Sequence, residues 1–337
     1  MNFTKFKKNY YTQKYSDFIR SLDRLSLKQK GEFLLEATRE KDFDLVCFLG
    51  EHGAPINFAD KNGTTGLMIV AQNVYEKPEL FQKDRNLDYK LARFFLDKMT
   101  SNEINAQDTK SFHFGQEIPP YALPLLNKFT SNPHRKGGLT ALMYLSAHPT
   151  NQIYLELDIP RYINGVFQHT ELIEDTRVLD LIYLFRAYGA QTNIRDPEGF
   201  DCLKYAITYG NVPAANTLLS YVKPFKNSVS QPSNVDAQDI FGNTAYMYAS
   251  SKQHVDGLLE LLEDHDANPN LTNINHQNAL NVASPAWATE HVEEYTKKYN
   301  SERTYSNDDF SNIFSLDKLQ KNKNSDFEKT NDINLEK

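Results

Sequence analysis

One phrase recurs along this chain and leaves few folds open to it. "DKNGTTGLMIVA" at Asp60, "DPEGFDCLKYAI" at Asp196 and "DIFGNTAYMYAS" at Asp239 share an Asp, a Gly three residues on, and then a cluster of apolar and small residues. "KGGLTALMYLSA", around Gly138 to Ala147, keeps the Gly and the cluster, and "NINHQNALNVAS" from Asn273 keeps the cluster. A second phrase lies upstream of four such turns. "LVCFLGEHGAPINFAD", "LARFFLDKMTSNEINAQD", "LIYLFRAYGAQTNIRD" and "LLELLEDHDANPNLTN" end at Asp60, Asp108, Asp196 and Asn273. Each has apolar residues at i, i+3 and i+4, the pattern of an amphipathic helix. Gly53 and Gly189 are placed to stop two of them. The unit is therefore turn, helix, loop, helix, extended return. One such helix pair cannot bury its apolar face alone, so copies must stack on one another.

The unit resembles the ankyrin repeat, over roughly residues 30 to 300. Thr65-Gly66-Leu67-Met68, Thr140-Ala141-Leu142-Met143 and Thr244-Ala245-Tyr246-Met247 occupy the slots of that family's Thr-Pro-Leu-His signature. The Thr is kept in three repeats, the Pro and His in none. The resemblance implies an all-α ankyrin-repeat solenoid of stacked helix pairs with β-turn tips, about six repeats long, with inserted loops and helical caps.

The expected organisation follows from the departures from regularity. A basic N-terminal segment and capping helix ("YSDFIRSLDRLSL") fill 1–26, and the array fills 27–299, with inserts at about 72–88, 109–137, 148–176 and 223–234. Trp287 is expected to seal the far end. A polar, flexible tail is expected over 300–337. The insert at 109–137 is rich in large apolar residues, so it should fold back on the stack or on a partner.

Composition narrows the function. Thirty-seven Lys and Arg against 44 Asp and Glu give a net charge of −7, which argues against a non-specific grip on nucleic acid. The lysines of the first residues have no apolar run behind them, and no stretch approaches the length of a membrane span, so neither a secretory leader nor membrane insertion is expected. Two cysteines, Cys47 and Cys202, are too few for a disulfide framework and suit a reducing intracellular compartment. No metal-binding spacing, nucleophile elbow or phosphate loop is present, so no catalytic residue, metal or cofactor is expected. The alternative is an enzyme whose site is built from the inserted loops over 109–176.

Ankyrin-like arrays commonly bind proteins through the turn tips and the inner end of the first helix. Carried over, that surface comprises Lys61, Asn62, Pro197, Glu198, Phe200, Ile240, Phe241 and Asn243 at the tips, His148, Tyr209 and Lys252 among the helix positions, and Phe112 and Phe114 in the insert. Phe200 and Phe241, in successive repeats, are the expected anchors. Tyr144, Tyr205 and Tyr248 are expected to pack within the stack, each hydroxyl needing a partner. The expected molecule is a monomer that binds a protein partner. Its degenerate repeats and Glu- and Ser-containing terminus also resemble arrays that intracellular bacteria deliver into host cells.

Overall fold

The structure, a computed structural model, describes residues 2–76, 86–109, 137–147, 154–163, 166–174, 177–225, 228–229, 231–251, 257–284 and 286–313. Two helices, α1 (Phe3–Thr12) and α2 (Tyr15–Asp23), precede the stack. Then come α3 (Leu27–Arg39) paired with α4 (Phe43–Glu51), and α5 (Gly66–Glu76) paired with α6 (Leu87–Leu96), followed by the single turn α7 (Ser101–Ile104). The next pairs are α8 (Ala141–Ser146) with α9 (Arg177–Ala187), α10 (Cys202–Tyr209) with α11 (Val212–Leu219), and α12 (Ala245–Ser250) with α13 (Leu258–Glu263). Short α14 (Ala279–Val282) and long α15 (Ala286–Ile313) close the array.

First helices pack in one row, α3 on α5, α8, α10, α12 and α14 in turn, and second helices in another, α4, α6, α9, α11 and α13. Each unit thus touches only its neighbours. The first-row helices are sandwiched on every side: all residues of α8, α10 and α12 are buried. Helices of six to eight residues are too short to persist alone in water, so this burial holds them.

An antiparallel hairpin, β1 (Tyr154–Ile163) and β2 (Val166–Glu174), stands between α8 and α9, inside the expected 148–176 insert. The array is all-α; the strands belong to the insertion. Their pairing sets Leu155 opposite Ile173, with a register slip between Glu156 and Pro160.

Both ends are capped by aromatic residues. Phe6 of α1 meets Phe33 at 4.7 Å and Phe18 at 5.0 Å, while Lys7 pairs with Glu40 and Asp42. At the far end Ala288, Val292, Tyr295 and Tyr299 of α15 are buried at helical spacing, and the Tyr295 hydroxyl donates to the Ala267 carbonyl at 2.9 Å. Trp287, expected to seal this end, lies one position off that stripe and is exposed. α15 runs on to Ile313, beyond residue 300 where the flexible tail was expected to begin; residues 314–337 lie outside the described residues.

The described part of the 223–234 insert is tied to the stack. The Phe225 amide donates to the Ala187 carbonyl at 2.7 Å, and the Ser228 hydroxyl donates to the same oxygen at 2.6 Å. Fully buried Arg186 donates to the carbonyls of Thr217 and Gln231, and desolvation draws its pKa down to about 10. Cationic donors at the carbonyl end of α11 are also where the helix dipole favours them.

Candidate functional site: the turn edge

Counting from the Asp that opens each turn puts all five turns in one register. That residue is Asp60, Asp108, Asp196, Asp239 or Asn273. At Asp60, Asp196, Asp239 and Asn273 its Oδ1 accepts the amides two and four residues on, at 2.8–3.1 Å. Three residues on the backbone takes positive φ: Gly63, Gly199, Gly242 and, in the last turn, His276. A Cβ at Gly199 would stand 2.7 Å from the Ile240 amide nitrogen, so both φ and the neighbouring turn exclude a side chain there. Five residues on, Thr65, Asp201, Thr244 or Asn278 accepts the amide of the third helical residue and caps the first helix.

The second side-chain oxygen of these turn residues also has a donor in four of the five turns. Tyr205 and Tyr248 donate to Asp196 and Asp239 at 2.8 and 2.7 Å, and Tyr144 donates to Asp108. Asp60, with Ile69 in the tyrosine slot, is met by Arg39 from the preceding repeat at 3.1 Å. Asn273, with Val282 in that slot, donates instead to Asn243 at 3.1 Å. So the three stacked tyrosines clamp the turns to the first helices. Burial pushes the carboxyls of Asp108 and Asp239 above the usual carboxylate range even so.

The Asp108 turn keeps this geometry around the insert. Asp108 and Tyr144 are 36 positions apart where the other two pairs are 9 apart, a surplus of 27 positions, the length of 110–136. The Asp108 amide still donates to the Leu139 carbonyl at 3.0 Å and the Leu139 amide to Asp108 Oδ1 at 3.0 Å. The chain therefore leaves at Thr109 and returns at Gly137 without opening the turn.

Adjacent turns are hydrogen-bonded into an edge. The amide one residue after the opening Asp or Asn donates to the previous turn: Thr109 to Asn62 at 2.8 Å, Ile240 to Glu198 at 3.2 Å and Ile274 to Phe241 at 2.9 Å. In the Asp196 turn that position is Pro197, which has no N–H, and it faces the turn from which the insert leaves. The Gln107 side chain bridges that junction instead, donating to the carbonyls of Gly138 and Arg195.

This register corrects several expected contacts. Phe200 lies four residues after Asp196, in the slot of Leu139 and Asn243, which turns under the tip. It is fully buried against Tyr205 and Tyr248, with ring centroids at 5.8 and 5.1 Å, and cannot anchor a partner. Asn243 is buried for the same reason, and Tyr209 is buried at the end of α10. Phe241 lies two residues after Asp239, so it is not the counterpart of Phe200; it is half-buried at the tip. Lys61 is exposed and Asn62 half-buried. Phe112, Phe114, His148 and Lys252 lie outside the described residues. The prominent tip side chains are Ile240 and Ile274, 58% and 61% exposed, each one residue after its turn's opening residue. Ile274 was missed because "NINHQN" has lost both Asp and Gly, although the spacing to Ala279 preserves its place.

Burial pushes both cysteine thiols up, which keeps Cys47 and Cys202 protonated. Among the described residues no group of three or more His, Cys, Asp or Glu is placed to hold a metal ion, and no helix is long and apolar enough to cross a membrane.

Residues 173–273 match the family model described as ankyrin repeats (3 copies). Similar solved structures include the crystal structure of EF0377, an ankyrin repeat protein, at 16% identity over 80% of this chain and 96% of that chain, with a TM-score of 0.47. No curated protein matches the chain.

Proposed function

This chain carries ankyrin repeats, a type of module that generally binds proteins, and on that premise we propose that it binds a partner protein along its turn edge, without chemistry of its own. One observation carries the reading: Ile240 and Ile274 stand exposed at the same position of adjacent turns, and the Ile274–Phe241 hydrogen bond fixes their separation. Adjacent repeats lie about 10 Å apart, so the two side chains form a rigid apolar pair. Phe241, half-buried, lies beside them, and Pro197 and Glu198 extend the edge toward the preceding repeat. Exposed apolar side chains on a pre-ordered backbone lose little entropy on association, which is what an interface anchor needs.

Affinity capture from the native cell with the wild-type chain and with an Ile240→Asp/Ile274→Asp variant tests this. The turn amides and first helices do not use these side chains, so the variant should fold. Loss of one specific captured protein is the expected result. An identical captured set from a variant with native circular dichroism would overturn the reading.

A further inference from the structure

The opposite face carries a cleft of about 980 Å³ between α6 and α9, the second helices of successive repeats. Its walls are Tyr89 and Arg93, four residues apart on α6, facing Tyr183 of α9 and Tyr188 just past its end. Ala187 and Phe225 also line the cleft. The aromatic wall is fixed in advance: Phe225 stacks on Tyr188 at 4.8 Å, and the Tyr188 hydroxyl donates to Asp97 at 2.6 Å.

Three features of the cleft mark it as a binding site and specify what it takes. Of the ten large apolar side chains exposed among the described residues, three converge here: Tyr89, Tyr183 and Phe225, at 38%, 50% and 42%. Its charge opposes that of the molecule. Lys90, Arg93 and Lys223 outnumber Asp97 and Asp180 in its lining, Arg93 pairing with Asp97, whereas the chain as a whole carries −7. Its length is that of the α6 stripe from Asn86 to Asp97, about 16 Å at the helical rise, which spans about five residues of extended chain.

We propose that this cleft binds a short, extended, proline-containing peptide segment of a partner, flanked by acidic residues. Proline rings pack on exposed aromatic rings and bring a backbone already extended, so little entropy is lost on docking. Acidic flanks meet the excess positive charge of the lining, to which Lys223 contributes. A second copy of this acidic chain is the poorer occupant, because like net charges repel. The site is independent of the turn edge and uses neither Ile240 nor Ile274.

The test is fluorescence anisotropy with three labelled peptides, a tetraproline core flanked by glutamates, the same core flanked by lysines, and a Gly-Ser core flanked by glutamates. The Glu-flanked proline peptide should bind saturably, and each of the other two about tenfold more weakly or worse. Tyr183→Ala, at a half-exposed position that leaves the stack intact, should weaken it at least about fivefold. Lys223→Glu should reverse the preference between glutamate and lysine flanks. No saturation by about 1 mM, the range of non-specific contact, or equal affinity for wild type and Tyr183→Ala would overturn the proposal. So would a wild-type dimer in sedimentation velocity that Tyr183→Ala dissolves, since the cleft would then belong to a second copy.

Discussion

Tyr248→Phe removes one oxygen from the stack and tests the clamp between turn and helix. The hydroxyl donates to Asp239 Oδ2 at 2.7 Å with both residues buried, while Oδ1 is occupied by the amides of Phe241 and Asn243. A hydrogen bond to an ionised partner in such a place contributes about 1.5–3 kcal/mol, so a loss of about 2 kcal/mol is expected. In urea, with a slope of about 2 kcal/mol per molar, the midpoint should fall by about 1 M. The loss should also depend on pH. Burial holds Asp239 above the ordinary carboxylate range, so the native state takes up a proton at higher pH than the unfolded chain does. Asp239 therefore adds stability below the unfolded value of about 3.9, and that contribution is lost as pH rises through the folded value. The tyrosine hydroxyl favours the ionised form, so removing it lifts the folded value further, and the cost of the substitution should shrink as pH falls from 7 toward 4. A cost below about 0.5 kcal/mol at pH 7, outside the range for such a bond, or one that stays constant over that pH range, would refute the clamp.

Further outcomes follow from the same geometry. Deleting 110–136, so that Thr109 joins Gly137, restores the nine-residue spacing and should leave a cooperatively folding chain with nearly unchanged thermal stability; loss of a sharp melt would count against the turn register. Gly199→Ala forces a Cβ against Ile240 at φ +82 and should cost at least about 2 kcal/mol in urea unfolding, where an exposed left-handed glycine alone costs about 1. Ile240→Asp/Ile274→Asp should lower affinity for a captured partner more than about a hundredfold by surface plasmon resonance, since the two half-buriable side chains together supply about 3 kcal/mol. Glu263 accepts from the Tyr246 hydroxyl at 2.6 Å and lies 3.0 Å from His291 Nε2, so Glu263→Ala should loosen α15 and raise amide exchange there before the rest of the array.

How much of this was legible in the sequence depends on whether a residue's job is local or shared with a neighbour. The turn, the cap and the helix of each repeat are local, set by Asp, Gly and Thr at fixed spacing, and the phrases around Asp60, Asp196 and Asp239 declare them openly. Three further properties belong to the stack. Phe200 and Phe241 look alike as exposed aromatics in successive repeats, yet two positions of register separate a buried ring from a tip residue, because the backbone reverses between them. Trp287 and Ala288 differ by one position, and the pitch of α15 gave the end of the array to the smaller residue. The cleft joins side chains from residues as far apart as 89, 183 and 225, and it exists only because equivalent helices of neighbouring repeats lie side by side. The sequence by itself determined that the chain is a stack of turn-and-helix units and where each unit begins. Only the tertiary structure decided which side chains the stack buries and which it leaves for a partner, because burial depends on the neighbouring repeat and not on the repeat's own spacing.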